Sequence, residues 1–382
     1  MKRRFIIGLL CITLLLTGCG ISGKRYVSVT PHQTQQKKAR SEVVTATSYS
    51  DLIGILEDMI EEGAEDGAIN ISAYAPKHVE RDMELAVYYA MNLYPLGAYS
   101  VDDIVFGVGT SGGLPAMAVT IRYRHTNAEI RQIRTIVEMA EAEPMVAAAL
   151  RNYDATLAME VERYQKTDFQ QMAQDYAEAY PELVMEVPQV TTGVYGNGEK
   201  RVVELSFAYQ NDRELLRQMQ MRVRPVFEAA ELYVSGDGAQ WQKFSQLYAF
   251  LMERFDYQVE TSDTPAYSLL THGIGDSRAF ATVYAAMCRR AGLECMVVTG
   301  SRSGEPWTWN LVQVDGNYQH VDLLRCDEKG EFRALPDRSM QDYEWDQTVY
   351  PECPAAPAPA QESSGHSQQV IVPETTAATE SP

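Results

Sequence analysis

The chain has 382 residues, of which 45% are hydrophobic and 22% charged, and it carries a formal net charge of −19. That apolar fraction excludes a chain that is disordered throughout. The acidic balance excludes a protein built to hold a phosphate backbone, so no nucleic-acid partner is expected.

Taken in chain order, the charge is segregated. Lys2, Arg3 and Arg4 open the chain and the apolar run Phe5–Leu16 follows. A basic start and a short hydrophobic stretch make the pattern of a signal peptide, and the run is too short to span a bilayer comfortably. It ends in Leu16-Thr17-Gly18-Cys19, which resembles the lipobox of bacterial lipoproteins. The resemblance implies cleavage before Cys19 and acylation of that residue; an ordinary cleaved signal is the alternative. Either way the chain is expected to be exported. Acyl chains contribute about 0.8 kcal/mol per buried methylene, so two or more make a stable membrane anchor. Residues 1–18 are read as signal peptide and 19–48 as a polar leash. Lys24, Arg25, Lys37, Lys38 and Arg40 lie either against anionic headgroups, at about 1 kcal/mol each, or in a solvated linker.

An internal repeat follows. Tyr94-Pro95 returns as Tyr180-Pro181, Gly107-Val108 as Gly193-Val194, Tyr123 as Tyr209 and Ile130 as Leu216, all at one offset. In the first copy Ile69–Tyr74 alternates like a strand and Val79–Leu93 has helical spacing. Ile104–Gly109 and Ala116–Arg124 read as two strands and Asn127–Ala142 as a helix. The second copy reads as strand Thr156–Val161, helix Asp168–Tyr180, strands Val187–Tyr195 and Arg201–Tyr209, and helix Asp212–Ala230. Each copy is therefore a strand–helix–strand–strand–helix module of the α+β kind, over 49–135 and 136–235. The glycine-rich turn Gly109–Gly113 has no helix directly after it, so it lacks the setting of a phosphate loop.

Helical spacing over Trp241–Phe255 opens the next part. Ala266-Tyr267 stands ahead of His272-Gly273-Ile274-Gly275-Asp276-Ser277, and a helix is expected from there through Arg290. Ala291-Gly292-Leu293-Glu294-Cys295 leads into a strand, Trp307-Thr308-Trp309-Asn310 lies on another, and His320-Val321-Asp322 on a third. This segment, Trp241 to Arg325, resembles the transglutaminase-like branch of the papain-type cysteine enzymes, as found in bacterial surface proteins. The resemblance implies a transglutaminase-like α+β domain over 236–350. It also implies three catalytic positions: a Cys nucleophile at the helix start, a His on the next motif and an Asp that orients it. Those positions hold Ser277, Trp307 and Asp322 here, while Phe280, Trp309 and Asn310 match the surrounding residues.

The substitutions have a chemical meaning. A thiol near pKa 8.5 becomes a thiolate beside an imidazolium and a helix N-terminus. A serine hydroxyl needs a general base at its side, and an indole nitrogen only donates. Ser277 is therefore expected to cap its helix, a place that suits serine. The indole N–H of Trp307 has a natural acceptor in Asp322. The alternative is an active hydrolase or acyltransferase with a rearranged Ser/His/Asp site. It would draw on His320, which lies two residues before Asp322 and so on the same strand face, or on His272, just ahead of the Gly-x-Gly turn.

Cys288, Cys295, Cys326 and Cys353 allow three pairings among which the sequence does not choose. With no Cys-x-x-Cys and no histidine cluster, neither a metal nor another cofactor is expected. Residues 351–382 are rich in Pro, Ala, Glu, Ser and Thr, with no apolar period beyond Val370-Ile371-Val372. They are expected to be a disordered tail. The sequence thus reads as a lipoprotein on the outer face of a bacterial cytoplasmic membrane, of the Gram-positive type. Its transglutaminase-like domain has lost two catalytic residues, and its expected role is to bind or scaffold a peptide, protein or cell-wall component.

Overall fold

The structure is a computed structural model that describes residues 44–234, 236–259 and 264–354. The signal peptide, Cys19, most of the leash and the tail from residue 355 lie outside the described residues. Among the described residues no helix is long and apolar enough to cross a membrane. The chain divides into two compact units after Ile130.

The first unit runs β1 (Val44–Thr45), α1 (Tyr49–Glu62), β2 (Asp66–Asn70), α2 (Val79–Asn92), α3 (Pro95–Ser100), β3 (Val101–Ser111) and β4 (Leu114–Tyr123), and α4 (Asn127–Gln132) leads out of it. Its sheet has the order β1-β2-β4-β3, with β1 parallel to β2 and the other pairs antiparallel. Helix α1 is not among the elements expected from spacing, yet it has a sharp local start. Ser48 Oγ accepts the Asp51 N–H while Asp51 Oδ2 accepts the Ser48 N–H at 3.0 Å, a reciprocal cap that satisfies two orphan donors. The helix stops at Gly63, whose φ of 64° is left-handed. A Cβ there would lie 2.1 Å from Asn127 Oδ1, so only glycine fits both the conformation and the space. Leu52, Leu56 and Ile60 of α1 and Met83 and Ala86 of α2 are buried with Ile69, Met117 and Val119 of the sheet.

The second unit begins with β5 (Arg134–Glu138), α5 (Glu143–Asn152), β6 (Thr156–Arg163), α6 (Phe169–Ala179), β7 (Gln189–Tyr195) and β8 (Arg201–Ala208). Its first sheet has the order β5-β6-β8-β7, with β5 parallel to β6 and the rest antiparallel. The helix expected over Asn127–Ala142 is replaced by α4, the strand β5 and a 3-10 turn at Met139–Ala142. Thr135, Ile136 and Val137 are β-branched, and pairing with β6 gives them a ladder that a helix would not.

Helix α7 (Arg213–Tyr233) follows, then α8 (Gln240–Met252), β9 (Asp256–Tyr257), α9 (Pro265–His272), β10 (Ile274–Gly275) and α10 (Ser277–Arg290). The rest is β11 (Cys295–Arg302), β12 (Glu305–Val314), β13 (Asn317–Val321), α11 (Leu323–Lys329) and β14 (Tyr343–Trp345). Strands β13-β12-β11-β14 form an antiparallel sheet. Helix α7 was expected to close the second repeat. Instead its stripe of Leu216, Met219, Val223 and Phe227 is buried with Phe244, Leu247, Phe280 and Tyr284 of α8 and α10. It therefore belongs to the core of the domain that follows it. Helix α10 is buried almost throughout, and Ala279, Ala281, Ala285 and Ala286 are small enough to bring it close to β12.

Candidate functional site

The site is built where the start of α10 meets β12 and β13. Ser277 does not cap the helix. Asp276 does, from an extended backbone (φ −86°, ψ −178°), and its Oδ1 accepts the Ala279 N–H at 2.9 Å. Asp and Ser are about equally good caps, and the point at which the backbone turns helical decides between them. Gly275 brings the chain in tightly, since a Cβ there would lie 2.9 Å from that of Ala279. Ser277 is the first helical residue and is buried, and its Oγ accepts the Thr308 N–H from β12 at 3.3 Å.

Strand β12 sets two tryptophans on one face. Trp307 Nε1–H donates to Asp322 Oδ2 at 2.9 Å, as expected from the sequence, and Trp309 Nε1–H donates to His320 Nδ1 at 2.9 Å. Asn310 faces the other way and ties the strand to the helix, with Nδ2 donating to the Ala281 carbonyl at 2.9 Å. Phe280 and Trp309 are core residues. Trp307 is half-buried: the Arg302 guanidinium lies 5.2 Å from its ring centroid, and the Tyr257 ring lies 5.7 Å away.

Asp322 is 5% exposed and fully engaged. Besides Trp307 it accepts the Tyr343 hydroxyl at 2.6 Å. As N-cap of α11 it also accepts the backbone N–H groups of Leu324 and Arg325 at 3.1 and 3.2 Å. Arg302 stands 3.8 Å away and is held chiefly by Glu328, at 2.7 Å. The bond to Glu328 raises the Arg302 pKa, and that to Arg302 lowers the Glu328 pKa. Burial, helped by the Asp322 charge, raises the Tyr343 pKa, so this phenol stays a donor. The sequence reading missed Tyr343 and Arg302, which come from distant segments and carry no local motif.

His320 has neither ring nitrogen free for Ser277. Its Nε2 is 2.8 Å from Asp337 Oδ1. Because the indole of Trp309 can only donate, Nδ1 is the acceptor and Nε2 carries the proton. Burial lowers the His320 pKa from 6.5 and outweighs the opposing pull of Asp337. His320, Asp337 and Cys353 bring one ligand-type atom each within 4.8 Å of one another. A metal-bound imidazole donates its other N–H, whereas here the nitrogen away from Asp337, Nδ1, accepts from Trp309 and Nε2 holds the proton, so the arrangement presents no imidazole lone pair to a cation. His272, at the end of α9, is exposed and faces Ser268 at 3.5 Å and the ring of Tyr267.

The four described cysteines, Cys288, Cys295, Cys326 and Cys353, are free thiols. Cys326 Sγ accepts the Arg333 N–H at 3.3 Å, and burial pushes its pKa up to about 11. Burial likewise pushes Cys353 up to about 12. A groove of about 400 Å³ runs beside the start of α10, between Val184, Met185 and Tyr267 on its sides and Arg278 and Thr282 on the helix. Trp307 and Asp322 are not among its walls.

The start of α10 thus packs against an antiparallel sheet, with Trp307 on β12 bonded to Asp322 just past the end of β13. Residues 228–345 match the transglutaminase-like superfamily, and the chain carries a transglutaminase-like domain over that span. No curated protein matches the chain. Among solved structures the chain is similar to a TGase, at 10% identity and a TM-score of 0.25, covering 56% of this chain and 63% of that one. A candidate cysteine protease from Cytophaga hutchinsonii is 12% identical with a TM-score of 0.25, covering 38% and 66%. A candidate protease from Parabacteroides distasonis is 10% identical with a TM-score of 0.22, covering 43% and 39%. The chain thus spans less than two thirds of the length of each of these three proteins.

Proposed function

We propose that the transglutaminase-like domain is catalytically silent and serves to bind a peptide, a protein or a cell-wall component. The observation that carries this reading is the Trp307–Asp322 hydrogen bond. It puts a pure donor at the position of the family's base, while Ser277 Oγ accepts from the Thr308 backbone and, among the described residues, has no hydrogen bond to an imidazole. Without a base a serine hydroxyl stays protonated and unreactive. The rearranged hydrolase gains nothing from His320, which Trp309 and Asp337 already hold. The surface left for recognition is the half-buried indole of Trp307 with Arg302 and Tyr257 around it.

In this proposal the chain is a lipoprotein: signal peptide 1–18, acylated Cys19, a leash that ends at residue 43 because Val44 and Thr45 pair into the first sheet, and a disordered tail that starts at 355 because Cys353 is buried and bonded to Asp337. It acts on the outer face of the cytoplasmic membrane of a Gram-positive bacterium. The two modules before the domain arose by duplication. In support, their sheets share one strand order and one set of senses.

Hydrolysis and amine-transfer assays on a broad peptide panel test the domain. No turnover is expected, and turnover that vanishes in Ser277→Ala overturns the proposal. Binding to peptides and to isolated cell-wall sacculi is expected to weaken in Trp307→Ala. Labelling with a fatty-acid analogue tests the anchor: incorporation is expected in the wild type and is lost in Cys19→Ser.

A further inference from the structure

Strands β7 and β8 are joined by a turn that opens Gly196-Asn197-Gly198, the one place in the chain where an asparagine precedes a glycine. Both glycines take a left-handed φ, 90° at Gly196 and 89° at Gly198, which a residue without a Cβ adopts at no steric cost. Asn197 is exposed, and its Oδ1 accepts the N–H of Gly198, the next residue, at 2.9 Å. Oδ1 is carried on Cγ, so this bond holds the main-chain nitrogen of Gly198 against the side-chain amide carbon of Asn197. A Cβ at Gly198 would meet nothing within 4 Å, which leaves the turn open to water. The other seven asparagines are each followed by a residue with a side chain. Asn92, Asn127, Asn211, Asn310 and Asn317 also commit their Nδ2 to an acceptor elsewhere.

We infer that Asn197 is a self-modification site: the turn converts its carboxamide to a carboxylate through a cyclic imide formed with Gly198, and water is the only co-reactant. The inference does not depend on the proposed function. Hydroxide takes the proton of the Gly198 N–H, and the nitrogen, already beside Cγ, attacks it. The N–Cγ bond forms and the Cγ–Nδ2 bond breaks. Ammonia leaves after taking a proton from water, which regenerates the hydroxide. Holding the two reacting groups in one geometry is what speeds an intramolecular step of this kind, and glycine adds no side chain to block the ring. Water then opens the imide. Cleavage between the nitrogen and Cγ leaves an aspartyl residue, and cleavage between the nitrogen and the main-chain carbonyl carbon leaves an isoaspartyl one. In sum a water is consumed and an ammonia released, and nothing is oxidised or reduced. Both products set a new negative charge beside Glu199, where the neighbouring cation Lys200 is already held by Glu160 at 3.0 Å. The isoaspartyl product also lengthens the main chain just past Tyr195, whose hydroxyl donates to Glu204 at 2.9 Å.

The full chain is aged in alkaline buffer, folded and in parallel unfolded in urea, and then digested with trypsin in a mildly acidic buffer that stops the reaction. The peptide Thr167–Lys200 holds Asn197 and no other asparagine. With time it is expected to split into the amide form and two forms heavier by the difference between a hydroxyl and an amino group, one of them a substrate for an isoaspartyl methyltransferase. Peptides that carry the other seven asparagines are expected to keep their amides over the same time, and the intact chain to gain a more acidic form on anion exchange. Conversion is expected to be at least as fast in the folded chain as in urea and to slow as the buffer is made acidic. Asn197→Gln, whose longer side chain has to close a larger ring, is expected to yield no acidic form. The inference is overturned by any of three results: Asn197 keeping its amide, a folded chain protected relative to the unfolded one, or Asn197→Gln gaining the acidic form at the rate of the wild type.

Discussion

Trp307 and Asp322 are joined by a 2.9 Å hydrogen bond from indole to carboxylate, and two residues along each segment the indole of Trp309 donates to the imidazole Nδ1 of His320, also at 2.9 Å. Strands β12 and β13 pair antiparallel with Asn310 opposite Val321. The period of two then puts both tryptophans and both acceptors on one face. Asp322 accepts from Trp307, from the Tyr343 hydroxyl and from the Leu324 and Arg325 backbone, with the Arg302 guanidinium 3.8 Å away.

Trp307→Phe keeps the ring and removes the donor. With Asp322 nearly inaccessible, the variant is expected to lose about 1.5–3 kcal/mol, the range for a hydrogen bond to a charged group. A lower urea midpoint at unchanged m-value is the readout. An equally stable Phe variant would show that the bond contributes nothing. Trp307→His, which retains a ring N–H, is expected to lose less.

His320 makes stability depend on pH. Its folded pKa lies below 6.5, mainly because of burial, so the unfolded chain takes up the proton first. The contribution is fully present above the unfolded value, declines as pH falls through about 6.5, and is lost once pH passes the folded pKa. Urea midpoints measured from about pH 8 to about pH 5 are expected to fall more steeply in the wild type than in His320→Gln. Parallel curves would remove His320 as the cause.

The start of α10 separates a cap from an acceptor. Asp276→Ala is expected to cost about 1 kcal/mol through loss of the cap, whereas Asp276→Asn costs little. Ser277→Ala acts by another route. It leaves the Thr308 N–H without its acceptor in a buried place, at a cost of about 1–3 kcal/mol. Thermal melts of the three variants distinguish the two roles.

Glu182 is buried, and both of its oxygens take Arg289 Nη2, at 3.0 and 3.2 Å, while the guanidinium lies 4.1 Å from the Tyr180 ring centroid. The pair ties the chain after α6 to the end of α10. Removing one partner strands the other, so Glu182→Gln and Arg289→Met are each expected to cost about 3 kcal/mol. The double variant is expected to cost less than their sum. A double-mutant cycle in urea measures the difference.

Legibility followed the range of the interactions. The order Ser277, Trp307, Trp309, His320, Asp322 can be read because each motif is short, and the extended backbone that runs from β13 into Asp322 already places His320 and Asp322 together. The helical spacing of Asn127–Ala142 misleads because the alternative for Arg134–Glu138 is a partner strand, β6, more than twenty residues away. For α7 the spacing is right and the destination is not. An apolar stripe shows that a helix is buried on one side and does not say against what.

The sequence by itself determined the local starts and stops, the alternating faces of the strands and the absence of a thiol and an imidazole at two of three positions. These depend on side-chain chemistry and on periodicity within a few residues. The tertiary structure alone decided that Ser277 takes the Thr308 N–H, that Tyr343 and Arg302 stand against Asp322, and that Trp309 and Asp337 hold the two nitrogens of His320. Each of these is a contact between segments brought together by folding, and no spacing along the chain encodes which of several equally suitable partners comes within hydrogen-bond reach.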